Sequence, residues 1–269
     1  MLSAAILFIC VGIIGGFVSG LLGIGGGVIM VPLLTLAFTW LGVEPEYIYR
    51  LAAGTSLACI IFTSLASARA HGKHLPMRWD LVKSFSPYLV VGTFLGTVVA
   101  TRINPGILKI VFVLFLFSLA VRMLLNLHLK PRKAPLPAPV TGVVGWIIGL
   151  FCSFVGVGGG TMIVPYLTWN GVAMHSAIGA SSALGFFISL SGAVGYVANG
   201  LNEPGLPWGA LGYVHIPALV AAMLTTVFFA SYGVRLAHKL SEKRLKFVFG
   251  IAMLVMGMGM AWNTISGWI

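Results

Sequence analysis

The chain has 269 residues, of which 59% are hydrophobic and 8% charged, and it carries a net charge of +11 at neutral pH. With a mean hydropathy of +1.04, it has too little polar side chain to cover a water-soluble domain of this length. The excess positive charge therefore belongs to short loops between apolar spans, where it sets their orientation and does not point to nucleic acid.

A membrane-crossing helix needs about 20 apolar residues. Candidates lie at residues 3–22, 48–68, 84–101, 106–127, 139–155, 174–198, 211–232 and 247–267. Met1-Leu2-Ser3 lacks the basic stretch of a cleavable signal, so the first span is expected to stay in the mature protein. After it, Gly23-Ile24-Gly25-Gly26-Gly27 interrupts the apolar run and leads into Val28-Ile29-Met30-Val31-Pro32. The pattern recurs: residues 16–35 laid over 149–168 agree at nine of twenty positions, including Gly23/Gly156, Gly25/Gly158, Gly26/Gly159, Gly27/Gly160 and Pro32/Pro165. Glycine costs about 1 kcal/mol relative to alanine inside a helix, so a triplet is a place to interrupt one. Each copy therefore predicts a helix, a break within the membrane and a short second helix, over 28–41 and 161–170, with Pro32 in the first turn, where proline is tolerated. The first of these covers about 21 Å against a roughly 30 Å hydrocarbon core. Both short segments are either re-entrant or short partners in a hairpin. Gly12, Gly16 and Gly20, spaced by four, predict a close-packing face.

Loop charge orders the segments. Glu44 and Glu46 form an acidic loop with Arg50, whereas Arg69, Lys73, Arg78 and Lys83 surround a basic one that the positive-inside rule assigns to the cytoplasm. A Pro-rich basic linker at 128–138 separates a first membrane repeat, 1–127, from a second, 139–269. Lys and Arg number twelve in the proposed inner loops and three in the outer ones; Arg122, near the inner end of its span, is placed to snorkel. Five segments per half is odd, so the halves are expected to be oppositely oriented. The expected fold is an all-α polytopic membrane protein of two inverted-topology repeats, each a Gly-broken hairpin followed by three spanning helices.

In such repeats the half-helix N-termini aim unpaired N–H groups and a positive dipole end at an anion near the midplane. The candidate substrate-binding set is Gly25, Gly26, Gly27, Gly158, Gly159 and Gly160, with the hydroxyls of Thr55, Ser56, Ser181 and Ser182 about 11 Å into their spans. Back-bonding of these hydroxyls to their own helices is the competing reading. All five acidic residues, Glu44, Glu46, Asp80, Glu203 and Glu242, fall in predicted loops, which favours an anion over a cation as substrate. His175 and His215 at span entrances are candidates for proton coupling, His175 also for a gate, and Arg50 is a candidate gate or anion attractor. Cys10, Cys59 and Cys152 have no metal or redox spacing and read as small packing residues. No catalytic constellation or phosphate-binding loop appears, so an enzyme is not expected and no cofactor is implied.

The doubled glycine motif with its Val-Pro sequel, together with residues 49–57 (YRLAAGTSL) and their relative at 175–183 (HSAIGASSA), resembles the TauE/SafE sulfite exporter family over nearly the whole chain. The resemblance implies a multi-pass transporter of the bacterial cytoplasmic membrane that moves a small oxyanion such as sulfite or an organosulfonate. It carries the family's motifs onto residues 23–27, Thr55, Ser56 and residues 156–160, while Ala180-Ser181-Ser182-Ala183 departs from Gly54-Thr55-Ser56-Leu57. The implied partners are the anion, the bilayer and a coupling proton or ion, with a homodimer left open. An anion channel or importer remains the alternative within transport, and an intramembrane enzyme or assembly factor the alternative outside it.

Overall fold

The computed structural model describes residues 2–22, 27–74, 78–125, 137–237 and 242–266. These residues form ten helices and one small hairpin: α1 (Leu2–Leu22), α2 (Gly27–Trp40), α3 (Pro45–His74), α4 (Trp79–Arg102), α5 (Pro105–Leu124), α6 (Ala138–Val155), α7 (Gly160–Trp169), α8 (Met174–Gly200), β1 (Ala210–Leu211), β2 (Val214–His215), α9 (Ile216–Ala237) and α10 (Glu242–Ser266). Among the described residues α3, α4, α5 and α8 are long and apolar enough to cross a membrane, and shorter apolar helices accompany them. This is an all-α, multi-pass membrane architecture. The linker at 128–136 lies outside the described residues.

Glycine faces bring the helices together, and their register gives the direction of each pair. Gly12 of α1 lies against Ala222 of α9, and Gly16 against Thr226, whose Oγ1 donates to the Gly12 carbonyl at 3.2 Å. These two helices run in the same direction, joined on the face that the four-residue spacing predicts. Gly92 and Gly96 of α4 meet Trp146 and Leu150 of α6 in the same parallel sense. At the centre α3 and α8 are antiparallel: Gly54 faces Tyr196, Leu57 faces Gly192, Ser64 faces Gly185, and the Ser67 and Ser182 hydroxyls bond at 3.0 Å. α5 and α10 form an outlying antiparallel pair, with Gly250 against Leu124 and Gly257 against Phe117.

Three sequence expectations need correction. Pro32 and Pro165 sit inside α2 and α7, six positions along, not in the first turn. The helices begin directly at Gly27 and Gly160, so each proline leaves the carbonyl four residues back, Val28 or Thr161, without its usual donor. The apolar run from 211 does not open a helix. Gly209 and Gly212 have φ of 82° and 54°, which favours a tight hairpin, and α9 begins at Ile216 with Pro217 in its first turn. Finally, Glu46, Asp80 and Glu242 lie in the first turns of α3, α4 and α10, not in loops. An acidic side chain complements the positive end of a helix, which explains their inclusion.

Candidate functional site

The second glycine break is described in full. α6 ends at Val155, and Gly156 turns left-handed with φ 69°, so that its N–H and that of Val157 both donate to the Cys152 carbonyl, at 2.9 and 3.1 Å. Gly159, with φ 78°, reverses the chain again and precedes α7; no side chain caps it. Left-handed backbone costs a side-chain-bearing residue roughly 1–2 kcal/mol, so the turn requires glycine at both places. Space requires it too. A Cβ on Gly156 would lie 2.8 Å from the Ala53 Cα of α3, one on Gly158 would lie 2.6 Å from Ile60, and the Gly158 carbonyl abuts Gly185 of α8. The break is thus clamped between the two central antiparallel helices.

Of the first break, residues 23–26, including Gly25 and Gly26, lie outside the described residues. Gly27 is buried at the start of α2, and a Cβ there would come within 3.1 Å of the Gly156 carbonyl and of the Val157 Cα. The N-terminus of α2 therefore abuts the turn that precedes α7.

The hydroxyls do something other than gather in one place. Ser56 donates to the Gly156 carbonyl at 2.9 Å, Tyr49 to that of Phe154 at 2.7 Å, and Tyr196 to that of Ser153 at 2.9 Å. A helix end leaves carbonyls without partners, and these three hydroxyls satisfy them where water is excluded. Thr55 is fully buried and its Oγ1 accepts the backbone N–H of His215 at 3.0 Å, pinning the hairpin to α3. Ser181 is buried in α8, and Ser182 bonds back to the Ile178 carbonyl at 3.0 Å as well as meeting Ser67. By the α3–α8 register, Thr55 lies opposite residue 194 or so, about 13 residues and hence about 20 Å along the helix from Ser181. The two hydroxyl pairs serve opposite ends of the central pair.

Sequence reasoning missed Tyr49 and Tyr196, which have no local signal because their partners lie 105 and 43 residues away. It also missed Thr161. This residue is 8% exposed, stands in the first turn of α7 directly after Gly160, and its Oγ1 has no hydrogen-bond partner. Comparing the two glycine copies offers a signal for it, since the first places Val28 there.

Arg50 is buried. It reaches the Ile103 carbonyl at the end of α4 at 3.2 Å, the Tyr213 hydroxyl at 3.4 Å and Glu46 at 3.7 Å, and lies over the Tyr213 ring, while its Nε has no partner. Burial pushes the Tyr213 phenol up to about 12, against the opposing pull of the Arg50 charge. Arg50 thus ties α3, α4 and the hairpin together. His175 is exposed in the first turn of α8, at the far end from that cluster. His215 is buried between the rings of Phe8 and Phe38, and its Nδ1 accepts the Ala218 N–H at 3.2 Å.

Apolar helices packed by glycine faces, with a helix interrupted at Gly156–Gly159, define a multi-pass membrane protein. Residues 8–260 match the family described as sulfite exporter TauE/SafE, and the chain belongs to that family. A probable membrane transporter protein of Haemophilus influenzae is 31% identical over 261 residues, covering 97% of this chain and 99% of that one. A second, from Methanocaldococcus jannaschii, is 31% identical with 94% of each chain covered, and YunE of Bacillus subtilis, also named a probable membrane transporter protein, is 24% identical over 94% of this chain and 95% of its own.

Proposed function

We propose that the protein is a secondary transporter of the bacterial cytoplasmic membrane that exports a small oxyanion, sulfite or an organosulfonate, by alternating access. The anion is held by backbone N–H groups at the starts of α2 and α7, with Gly25, Gly26, Gly27, Gly158, Gly159 and Gly160 keeping side chains out of the way. The observation that carries this reading is the approach of Gly27 to Gly156 and Val157, which sets one half-helix start beside the turn leading into the other. The unpartnered Thr161 hydroxyl in the first turn of α7 adds a donor. Thr55, Ser56, Ser181 and Ser182 then act on the anion through the segments they pin more than by direct contact.

The packing also supports an inverted repeat of 1–127 and 139–269 about the linker. Exchanging α1–α5 with α6–α10 turns the α1–α9 pair into the α6–α4 pair and maps α3–α8 and α5–α10 onto themselves. The directions agree, because the pairs that exchange are both parallel and the self-mapped pairs are both antiparallel. The test is thermal unfolding of purified protein with sulfite, methanesulfonate, sodium or a divalent cation, followed by sulfite counterflow in proteoliposomes. Stabilisation by the sulfur oxyanions, which mass action requires of a ligand that binds only the folded state, together with counterflow, is expected. Stabilisation by a cation alone overturns the reading.

A further inference from the structure

The outlying position of the α5–α10 pair leaves a crevice of about 740 Å³ between α5, α6 and α7. Its walls are mostly apolar, Phe115, Leu119, Phe151 and Pro165 among them, and Leu114 at its edge is 62% exposed. Along α5 it runs from Val111 to Arg122, a rise of about 16 Å, or about one leaflet of a roughly 30 Å core. Arg122, in the last turn of α5, closes one end; it is half-buried and has no acidic partner among the described residues. Tyr166 lines the same space. Its ring is stacked on Phe85 at 5.4 Å and 12°, and its hydroxyl is buried, so it contributes ring surface to the wall. A guanidinium without an acidic partner among the described residues, at one end of a leaflet-deep apolar wall, is the complement of one molecule with an anionic head and a hydrocarbon tail.

We propose that this crevice is a binding site for an anionic phospholipid, its phosphate on Arg122 and an acyl chain along Phe115 and Phe151. Basic pockets between membrane helices recognise anionic headgroups in this way. A small anion would leave the apolar length of the crevice unfilled.

Native mass spectrometry of the full chain in detergent, with equal amounts of phosphatidylglycerol and phosphatidylcholine of the same acyl chains, tests the site. Phosphatidylglycerol is expected to be retained in preference, by about fivefold, the worth of one basic residue at an anionic surface. Arg122→Gln should abolish the preference at unchanged elution volume and lipid-free melting temperature. Equal retention of the two lipids by the unaltered protein overturns the proposal. So does a folded Arg122→Gln protein that keeps the preference, or complete displacement of the lipid by tail-less glycerol phosphate, which would mark a free-anion site.

Discussion

Replacing Gly159 by alanine separates a conformational requirement from a packing one. The residue has φ 78°, and a Cβ there would lie 2.6 Å from Ile188 Cδ1 and 2.8 Å from Ile163 Cδ1. The left-handed backbone costs alanine roughly 1–2 kcal/mol. Both clashing atoms are the ends of flexible side chains, and moving each off its rotamer costs about 0.5–1.5 kcal/mol. Gly159→Ala should therefore destabilise the fold by about 2–5 kcal/mol. Ile188→Val removes one clashing methyl and should couple favourably to Gly159→Ala in a double-mutant cycle by about 0.5–1.5 kcal/mol. Unfolding in mixed micelles measures the cycle, and the thermal shift on adding sulfite measures the site in the same variants. Because the start of α7 is displaced, the sulfite response should shrink in Gly159→Ala and only partly return in the double variant. Wild-type stability with no coupling would refute the conformational argument, and an undiminished sulfite response in the folded variant would remove the start of α7 from the pathway.

Gly16→Leu should lower expression and melting temperature without a specific effect on anion response, because the new side chain meets the Thr226 backbone, which has nowhere to move. Ser56→Ala should cost about 1–3 kcal/mol, measured as lost stability, because the buried Gly156 carbonyl is left without its donor. His215 lies in the hairpin, outside the spanning helices, and burial holds its imidazole below the ordinary 6.5, partly opposed by a hydrogen bond with the Trp208 backbone. Below about pH 6.5 the unfolded chain takes up a proton that the folded chain refuses. Melting temperature should then fall on acidification from pH 7 toward 5, and His215→Gln should flatten that slope. Single cysteines at Ala134 and Gly205, in a background lacking Cys10, Cys59 and Cys152, should label unequally with an impermeant reagent on whole cells, and equal labelling would remove the inverted arrangement.

Several features were legible in the residues because they depend on local chemistry. Gly12 and Gly16 announce a packed face by spacing alone, and the partner merely has to be small at Ala222. Both glycine breaks show as helix-breaking triplets, and the left-handed angles at Gly156 and Gly159 account for the second. Arg50 was visible as a lone cation at a span entrance, yet its burial against Tyr213 and the Ile103 carbonyl depends on elements 163 and 53 residues away. Leu211 to His215 looked like the start of a span because apolar content does not distinguish a buried hairpin from a helix; the left-handed Gly209 and Gly212 make the difference.

Composition commits this chain to a bilayer, since nothing else can shelter so much apolar surface, and repetition of Gly-Gly-Gly ahead of Val-Pro marks where each half interrupts its helices. Those are properties of short stretches, and any packing must respect them. The duty of each hydroxyl is not such a property. Ser56, Tyr49 and Tyr196 cap carbonyls at the end of α6 because the central helices lie against that end, and Thr161 has no partner because none of its neighbours offers one. In a medium without water a polar group takes whatever partner the packing supplies, so these assignments arise only when distant helices meet.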